Sequence, residues 1–167
     1  MNAHEIIQLK LEPALKECLL HQRRLDYALG KLGSRAPMTA DAWLSLDNET
    51  VATIDQLLFR YNKLQDAMGQ RLFPAVLMLG AEWRDEETFL DKLDRLEKLG
   101  AIPSAEQWNE IRVIRNRMTH EYPDAPDQNA NNLNQVLESI SGLKNTLSQI
   151  ESYAKALADR VESKTRT

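Results

Sequence analysis

Residues 113–124, with the sequence VIRNRMTHEYPD, concentrate side chains that can hold an anion and move a proton. Arg115 can present a planar fork of N–H donors to a phosphate or a carboxylate. His120 titrates near neutral pH, so its imidazole can take up or deliver a proton. Tyr122 adds a hydroxyl group directly before Pro123. The segment is therefore either a solvated helix end or an anion site with a proton shuttle.

The residue types leave both interpretations open. Arginine and histidine in the last turn of a helix complement its dipole, and a tyrosine at a boundary can keep its hydroxyl in water. On a straight helix, Arg115 and His120 would lie ~140° apart. They could share one site if Arg115 reached around the helix, if the last turn were distorted, or if a two-fold axis paired the segment with its copy.

Length, charge and hydropathy restrict the class of protein. A chain of 167 residues fits one domain, which we place at residues 1–167, and it can bury its own core. A net charge of −4 argues against coating nucleic acid by bulk electrostatics, so any phosphate binding must be local. The N-terminus has no apolar signal region, and no apolar run approaches membrane-spanning length. We therefore expect a cytoplasmic protein without membrane association.

Metal and cofactor sites are not expected from the residue types. Cys18 is the only cysteine, which excludes an intramolecular disulfide and a multi-cysteine metal site. His4, His21 and His120 share no metal-ligand spacing, and the first two are expected to be solvated or structural. The chain has no glycine-rich phosphate loop. We expect no metal and no cofactor.

Apolar residues recur at intervals of three and four nearly everywhere, and no alternating, β-branched run is present. This pattern predicts an all-α, up-and-down bundle of about five helices, since long helices with short connections pack antiparallel. The first helix should end near Gly33, and the second should begin at Asp47 or Asn48. The third should run from about Asp85 to Leu99, and the fourth from Ser104 to about Tyr122. The fifth should begin at Asp124 or Asp127.

Two prolines fall inside the predicted helices. Pro13 should start or kink the regular part of the first helix, and Pro74 should kink or split the second. Between these helices, Thr39 or Asp41 could cap a short helical segment. Tryptophans 43, 83 and 108 are expected to anchor the core or an interface.

The order of the polar residues resembles a known family. Arg115, His120 and Tyr122 match an R-x4-H-x-Y signature, with Asn116 at the polar position after the arginine. Residues 59–74, FRYNKLQDAMGQRLFP, look like a second helical segment of the same group. Both stretches, in this order, resemble the HEPN superfamily and within it the HepT-like toxins of bacterial toxin–antitoxin pairs.

The resemblance implies a function, a partner and an assembly. It implies a metal-independent ribonuclease that works as a homodimer, with the arginine and the histidine of both copies lining one cleft. It also implies a nucleotidyltransferase antitoxin of the MNT type, which would silence the toxin by transferring AMP to Tyr122. Relatives have also been described as substrate-binding subunits of a nucleotidyltransferase, or as the antitoxin half of the pair.

The residue types fit such a reaction. RNA carries its own nucleophile, the 2′-hydroxyl group, so neither a protein nucleophile nor a metal is required. His120 could take that proton or protonate the leaving 5′-oxygen. Arg115 could stabilise the phosphorane, and Asn116 could orient a phosphate or a base through its amide. The products would be a 2′,3′-cyclic phosphate and a 5′-hydroxyl group.

Four further residues are supporting candidates. Arg112 and Arg117 would add local positive charge beside the motif. Arg60 and Asp66 belong to a polar face of the second helix, which is usually only a solvated face. If that helix borders the cleft, both could orient the motif side chains.

A second hypothesis is a non-catalytic helical module that binds a nucleotidyltransferase and presents Tyr122. A pure binding module has no evident need of the arginine and the histidine of the motif. Their presence favours the ribonuclease.

Overall fold

A computed structural model describes residues 1–118 and 121–165, and every regular element in these two ranges is helical. The predicted all-α class is confirmed. The α-helices are Ala3–Ile6 (α1), Glu12–Leu32 (α2), Ala40–Leu44 (α3), Asn48–Ala67 (α4), Phe73–Leu79 (α5), Phe89–Lys98 (α6), Ala105–Arg117 (α7) and Pro126–Thr165 (α8).

The long helices pack through stripes that repeat every seven residues. α2 packs chiefly on α4, and α8 contacts α2, α3, α5 and α7. Alternating steps of four and three keep one face of each helix turned to its neighbour, as in coiled coils. At 1.5 Å per residue, the 40 residues of α8 span about 60 Å. The stripe of α8 comprises Asn129, Leu133, Val136, Ile140, Leu143, Leu147, Ile150, Ala154 and Leu157.

No helix within the described ranges is both long enough and apolar enough to cross a membrane. Length alone would allow α8 to do so, but asparagines and charged residues recur along it. Most of the large apolar residues of α8 instead lie on its stripe, which packs against the other helices.

Each of the two predicted proline interruptions occurs as a π-helical turn. Residues Ile7–Leu11 and Met68–Leu72 are π-helical and end two residues before Pro13 and Pro74. The residue after each turn donates its N–H group five residues back, from Glu12 to Ile7 and from Phe73 to Met68. A proline interrupts the regular ladder because it lacks an N–H group and its ring crowds the carbonyl four residues earlier, and the wider turn adapts to this without ending the helix.

Side-chain caps fix three of the predicted helix starts. Thr39 caps α3 by accepting the N–H of Ala42 at 3.1 Å, and Asp47 caps α4 by accepting that of Thr50 at 2.7 Å. Ser104 caps α7 by accepting the N–H of Gln107 at 3.1 Å. Each cap satisfies an N–H group that has no partner within its helix.

The predicted start of the third helix at Asp85 is wrong, because α6 begins at Phe89. Thr88 and Asp91 form a reciprocal capping box, in which each side chain accepts the other's backbone N–H group, at 3.2 and 3.0 Å. Asp85 instead accepts the indole N–H of Trp83 at 2.7 Å, which leaves it outside the helix.

The core is anchored by aromatic side chains and encloses the only thiol. Trp108 is 1% exposed, and its ring lies 4.7 Å from that of Phe73 at 57°. The hydroxyl group of Tyr61 lies 2.6 Å from that of Ser139 on α8. Cys18 is fully buried, and burial raises the pKa of its thiol to about 12. The core therefore ties α2, α4, α5, α7 and α8 together.

Candidate functional site

The last turn of α7 is joined to α4 by an ion pair. Nη2 of Arg115 lies 2.8 Å from Oδ1 of Asp66, and the two side chains are 31% and 27% exposed. This contact joins residues 59–74 to the R-x4-H-x-Y segment, the two stretches on which the family resemblance depends. Asp66 therefore lies where it can orient the guanidinium of Arg115.

α7 ends earlier than the sequence suggests. The prediction that it runs to about Tyr122 is wrong, because α7 ends at Arg117 and Met118 donates its N–H to the carbonyl of Arg115 at 3.0 Å. The N–H of Tyr122, which a continued helix would donate to Met118, goes to Oδ1 of Asn129 at 3.1 Å. The hydrogen bond from Tyr122 to Asn129 on α8 therefore takes the place of the one that would continue α7.

Tyr122 is held by its backbone while much of its side chain remains accessible. Nδ2 of Asn129 also donates to the carbonyl of Tyr122 at 2.8 Å, so one buried amide binds both backbone groups of the tyrosine. Tyr122 is 40% exposed. Sequence reasoning missed Asn129; the run of four asparagines within residues 127–134 was the available signal. The other motif residue, His120, lies outside the described residues.

Arg112, Asn116 and Arg117 are exposed, and the two arginines contact different neighbours. Nη1 of Arg117 donates to Oε1 of Gln135 on α8 at 3.2 Å. The guanidinium of Arg112 lies over the ring of Phe89 on α6, 4.8 Å from its centre. Asn116 is exposed at the end of α7. Arg112 and Arg117 therefore extend positive charge to both sides of the helix end.

Arg60 faces a different part of the bundle from Asp66. Its Nη1 atom lies 3.1 Å from Nδ1 of His21 on α2, and its guanidinium lies 5.1 Å from the centre of the Phe59 ring. Six residues separate Arg60 from Asp66, which puts them ~120° apart around α4. The structure brings Asp66 to Arg115, and it brings Arg60 to His21.

The buried imidazole of His21 has a defined tautomer. Arg60 can only donate, so Nδ1 of His21 must accept and the neutral ring carries its proton on Nε2. Nε2 lies 3.7 Å from Oε1 of Glu17, whose other oxygen pairs with Arg71. Burial first, and then the charge of Arg60, lower the pKa of His21, while Glu17 opposes the shift. His21 is therefore structural, one of the two roles expected for it.

We expect His21 to make stability depend on pH. Its pKa is below the usual value of 6.5 in the folded protein, so between the two values the unfolded chain binds more protons. The contribution of His21 to the free energy of unfolding should be fully present above a pH of about 6.5. It should be lost as the pH falls below that value. Urea unfolding at about pH 8 and about pH 5.5 measures the loss, which should be smaller in His21→Gln. An equal loss in the variant would assign the dependence to other groups.

Residues 1–118 and 121–165 contain no group of three or more His, Cys, Asp and Glu side chains placed to hold a metal ion. Comparisons of the chain with protein-family models, with curated proteins and with solved structures gave no match. The described site offers a partly exposed, carboxylate-bound guanidinium at Arg115 and, seven residues further along the chain, an accessible tyrosine. Such a site can bind an anion and present a hydroxyl group.

Proposed function

We propose that the protein is a metal-independent ribonuclease of the HEPN kind, the toxin of a toxin–antitoxin pair. The observation that carries the proposal is the ion pair between Arg115 and Asp66. It connects the motif arginine to the second stretch that resembles the family, and the motif alone does not require this contact.

The ion pair suits an arginine that must meet a phosphate. A guanidinium has five N–H donors, and a single carboxylate leaves several of them available. Asp66 limits the orientations of Arg115 before substrate arrives, which lowers the entropic cost of binding. Partial exposure keeps the guanidinium accessible to a large polyanion such as RNA.

The remaining steps of the proposed reaction are assigned to His120 and to a second copy of the chain. His120 takes the proton of the 2′-hydroxyl group or protonates the leaving 5′-oxygen, and Arg115 stabilises the phosphorane. In a homodimer the two copies would place both arginines and both histidines along one cleft. Asn116, Arg112 and Arg117 would bind the RNA on either side, and the reaction would take place in the cytoplasm.

The reaction itself is tested by cleavage of RNA in the presence of EDTA. We expect wild-type protein to cut RNA without a divalent ion and to leave a 2′,3′-cyclic phosphate and a 5′-hydroxyl group, which end-labelling identifies. Activity that disappears with chelator and returns with a divalent ion would reject the proposal. Absence of cleavage, together with transfer of AMP to the protein, would favour the non-catalytic module.

The proposed partner is a nucleotidyltransferase antitoxin of the MNT type that transfers AMP to Tyr122. The exposed ring on a fixed backbone supports this assignment, since a second enzyme can reach the hydroxyl group. An AMP group there would bring a negative phosphate and a base toward the arginines at the end of α7, where RNA must bind.

Tyr122→Phe should remain an active nuclease and escape silencing by the partner, because it keeps the ring and loses the acceptor oxygen. The measurement mixes each form with the nucleotidyltransferase and ATP and follows intact mass and RNA cleavage. Tyr153→Phe, a change of a half-buried tyrosine on α8, is the control and should still be silenced. Equal silencing of Tyr122→Phe and wild type would mean that the partner acts by occlusion.

Asp66→Asn should lower the rate of cleavage more than it lowers stability. The amide keeps the size of the side chain and removes the charge that orients Arg115, and misplacement of a reacting group can cost about 10²-fold in rate. A partly exposed ion pair is worth only about 0–1 kcal/mol of stability. Single-turnover rates and urea unfolding measure the two effects, and Glu49→Gln, a change of an exposed carboxylate on the same helix, is the control for the change in cleavage rate.

A further inference from the structure

A cavity of about 460 Å³ lies between α3, α4, the α7–α8 connection and the start of α8. We propose that this cavity binds a nucleobase that carries an amino group. The inference deepens the proposed function and rests on it for the identity of the ligand, because the base would belong to the RNA held at the motif. The lining includes Trp43, Ile54, Asp55, Met118, Glu121 and Asn132.

Three asparagines near the start of α8 differ in whether their side chains make structural hydrogen bonds. Asn129 binds both backbone groups of Tyr122, and Asn134 binds both backbone groups of Met38, at 2.7 and 2.8 Å. Both of these amides are therefore occupied by structural hydrogen bonds. Asn132 lies between them in the chain and lines the cavity, it is 9% exposed, and its side chain hydrogen-bonds to no group within residues 1–118 and 121–165.

Because this amide lines the cavity and has no protein partner in the described ranges, its donors and its acceptor are available to a ligand. The amide of Asn132 offers two donors and an acceptor, a pattern that an adenine edge matches in a bidentate arrangement and that other base edges match in part. A purely apolar ligand would leave the same amide unsatisfied.

The other walls fit a flat, amino-bearing ring better than a phosphate. Trp43 is half-buried and offers an aromatic face for stacking, and Ile54 and Met118 make the surroundings apolar. Asp55 and Glu121 bring two carboxylates, which accept hydrogen bonds from amino groups and repel phosphate. Uracil has no amino group, so adenine, cytosine and guanine are favoured over it.

The position of the cavity relates it to the proposed cleavage site. Met118 and Glu121 line it, three residues after Arg115 and one residue before Tyr122, respectively. A nucleotide whose base entered the cavity would have its backbone beside the end of α7. The cavity would then select the base next to the phosphate that is cut.

The test uses nucleosides, which carry no phosphate and therefore do not report on the anion site. Adenosine, cytidine and uridine are titrated into the full-length protein by calorimetry and by tryptophan fluorescence. We expect adenosine or cytidine to bind at least about tenfold more tightly than uridine, which corresponds to a difference in binding free energy of about 1.4 kcal/mol. Trp43→Leu should remove both the fluorescence change and most of the binding.

Asn132→Leu separates a binding role from a structural one. Leucine has a similar volume and removes an amide that makes no hydrogen bond within the described ranges, so the thermal midpoint should change little while nucleoside binding falls by about tenfold or more. Asn131→Leu, a change of the exposed neighbour, is the control and should bind as wild type.

The failures of this inference and of the proposed function are distinguishable. Equal binding of uridine, unchanged binding by Asn132→Leu and Trp43→Leu, or no nucleoside binding at millimolar concentration would each overturn the assignment of the cavity. RNA cleavage without nucleoside binding would leave the ribonuclease standing and reject the cavity. Selective nucleoside binding without RNA cleavage would support the cavity and reject the ribonuclease.

Discussion

Arg115→Ala should reduce the rate of RNA cleavage by about 10²–10³-fold, because loss of one donor to the transition-state charge commonly has that effect. His120→Ala should cost ~10²–10⁴-fold through loss of general acid–base help. Stability should change little in Arg115→Ala, since the ion pair that it removes is partly exposed. Single-turnover cleavage of a short RNA measures the rates, and circular dichroism checks the helical fold.

Two matched variants make the result for Arg115 specific. Arg115→Lys keeps the charge and loses the planar fork, so it should restore only part of the rate. Arg117→Ala removes an exposed arginine two residues away, whose contact is to Gln135, and should mainly weaken RNA binding. Equal losses in Arg115→Ala and Arg117→Ala would mean that the segment acts as a basic patch and holds no catalytic arginine.

Trp108→Ala should destabilise the fold by about 3–5 kcal/mol, the range for removing a large aromatic side chain from a core. Trp108 is 1% exposed and packs on Phe73, so α7 would lose its aromatic contact with α5. Urea unfolding measures the change. The same substitution at Trp83, which is half-buried and lies 4.0 Å beneath the ammonium group of Lys92, should cost far less. Similar losses at both positions would contradict this account of the core.

Local signals in the sequence predicted most of the fold. Caps such as Thr39, Asp47 and Ser104 determine helix starts through groups only three residues apart, so they can be recognised without tertiary information. The start at Phe89 differs from the prediction because Thr88 and Asp91 cap the helix there, while Asp85, another residue able to cap, accepts from Trp83. Such errors arise where neighbouring side chains could each cap the same helix.

The candidate site was less predictable because it depends on contacts between distant segments. The sequence could place Arg60 and Asp66 on polar positions of one helix, but the packing of α4 decides that Asp66 meets Arg115 and Arg60 meets His21. The end of α7 was missed for a similar reason, since the competing group is the side chain of Asn129 on the next helix. Periodicity carries no information about such partners.

The single buried thiol makes the opening of the helix interface chemically measurable. Only the thiolate of Cys18 reacts with disulfide reagents, and both its burial and its raised pKa prevent that reaction in the closed state. Labelling therefore requires that the helices around Cys18 separate or that the whole chain unfolds. The ratio of the labelling rate in native buffer to that in denaturant then gives the opening free energy without a calorimeter or an optical probe. Because no other cysteine competes, the same rate can be followed in a cell extract, where a bound partner would slow it.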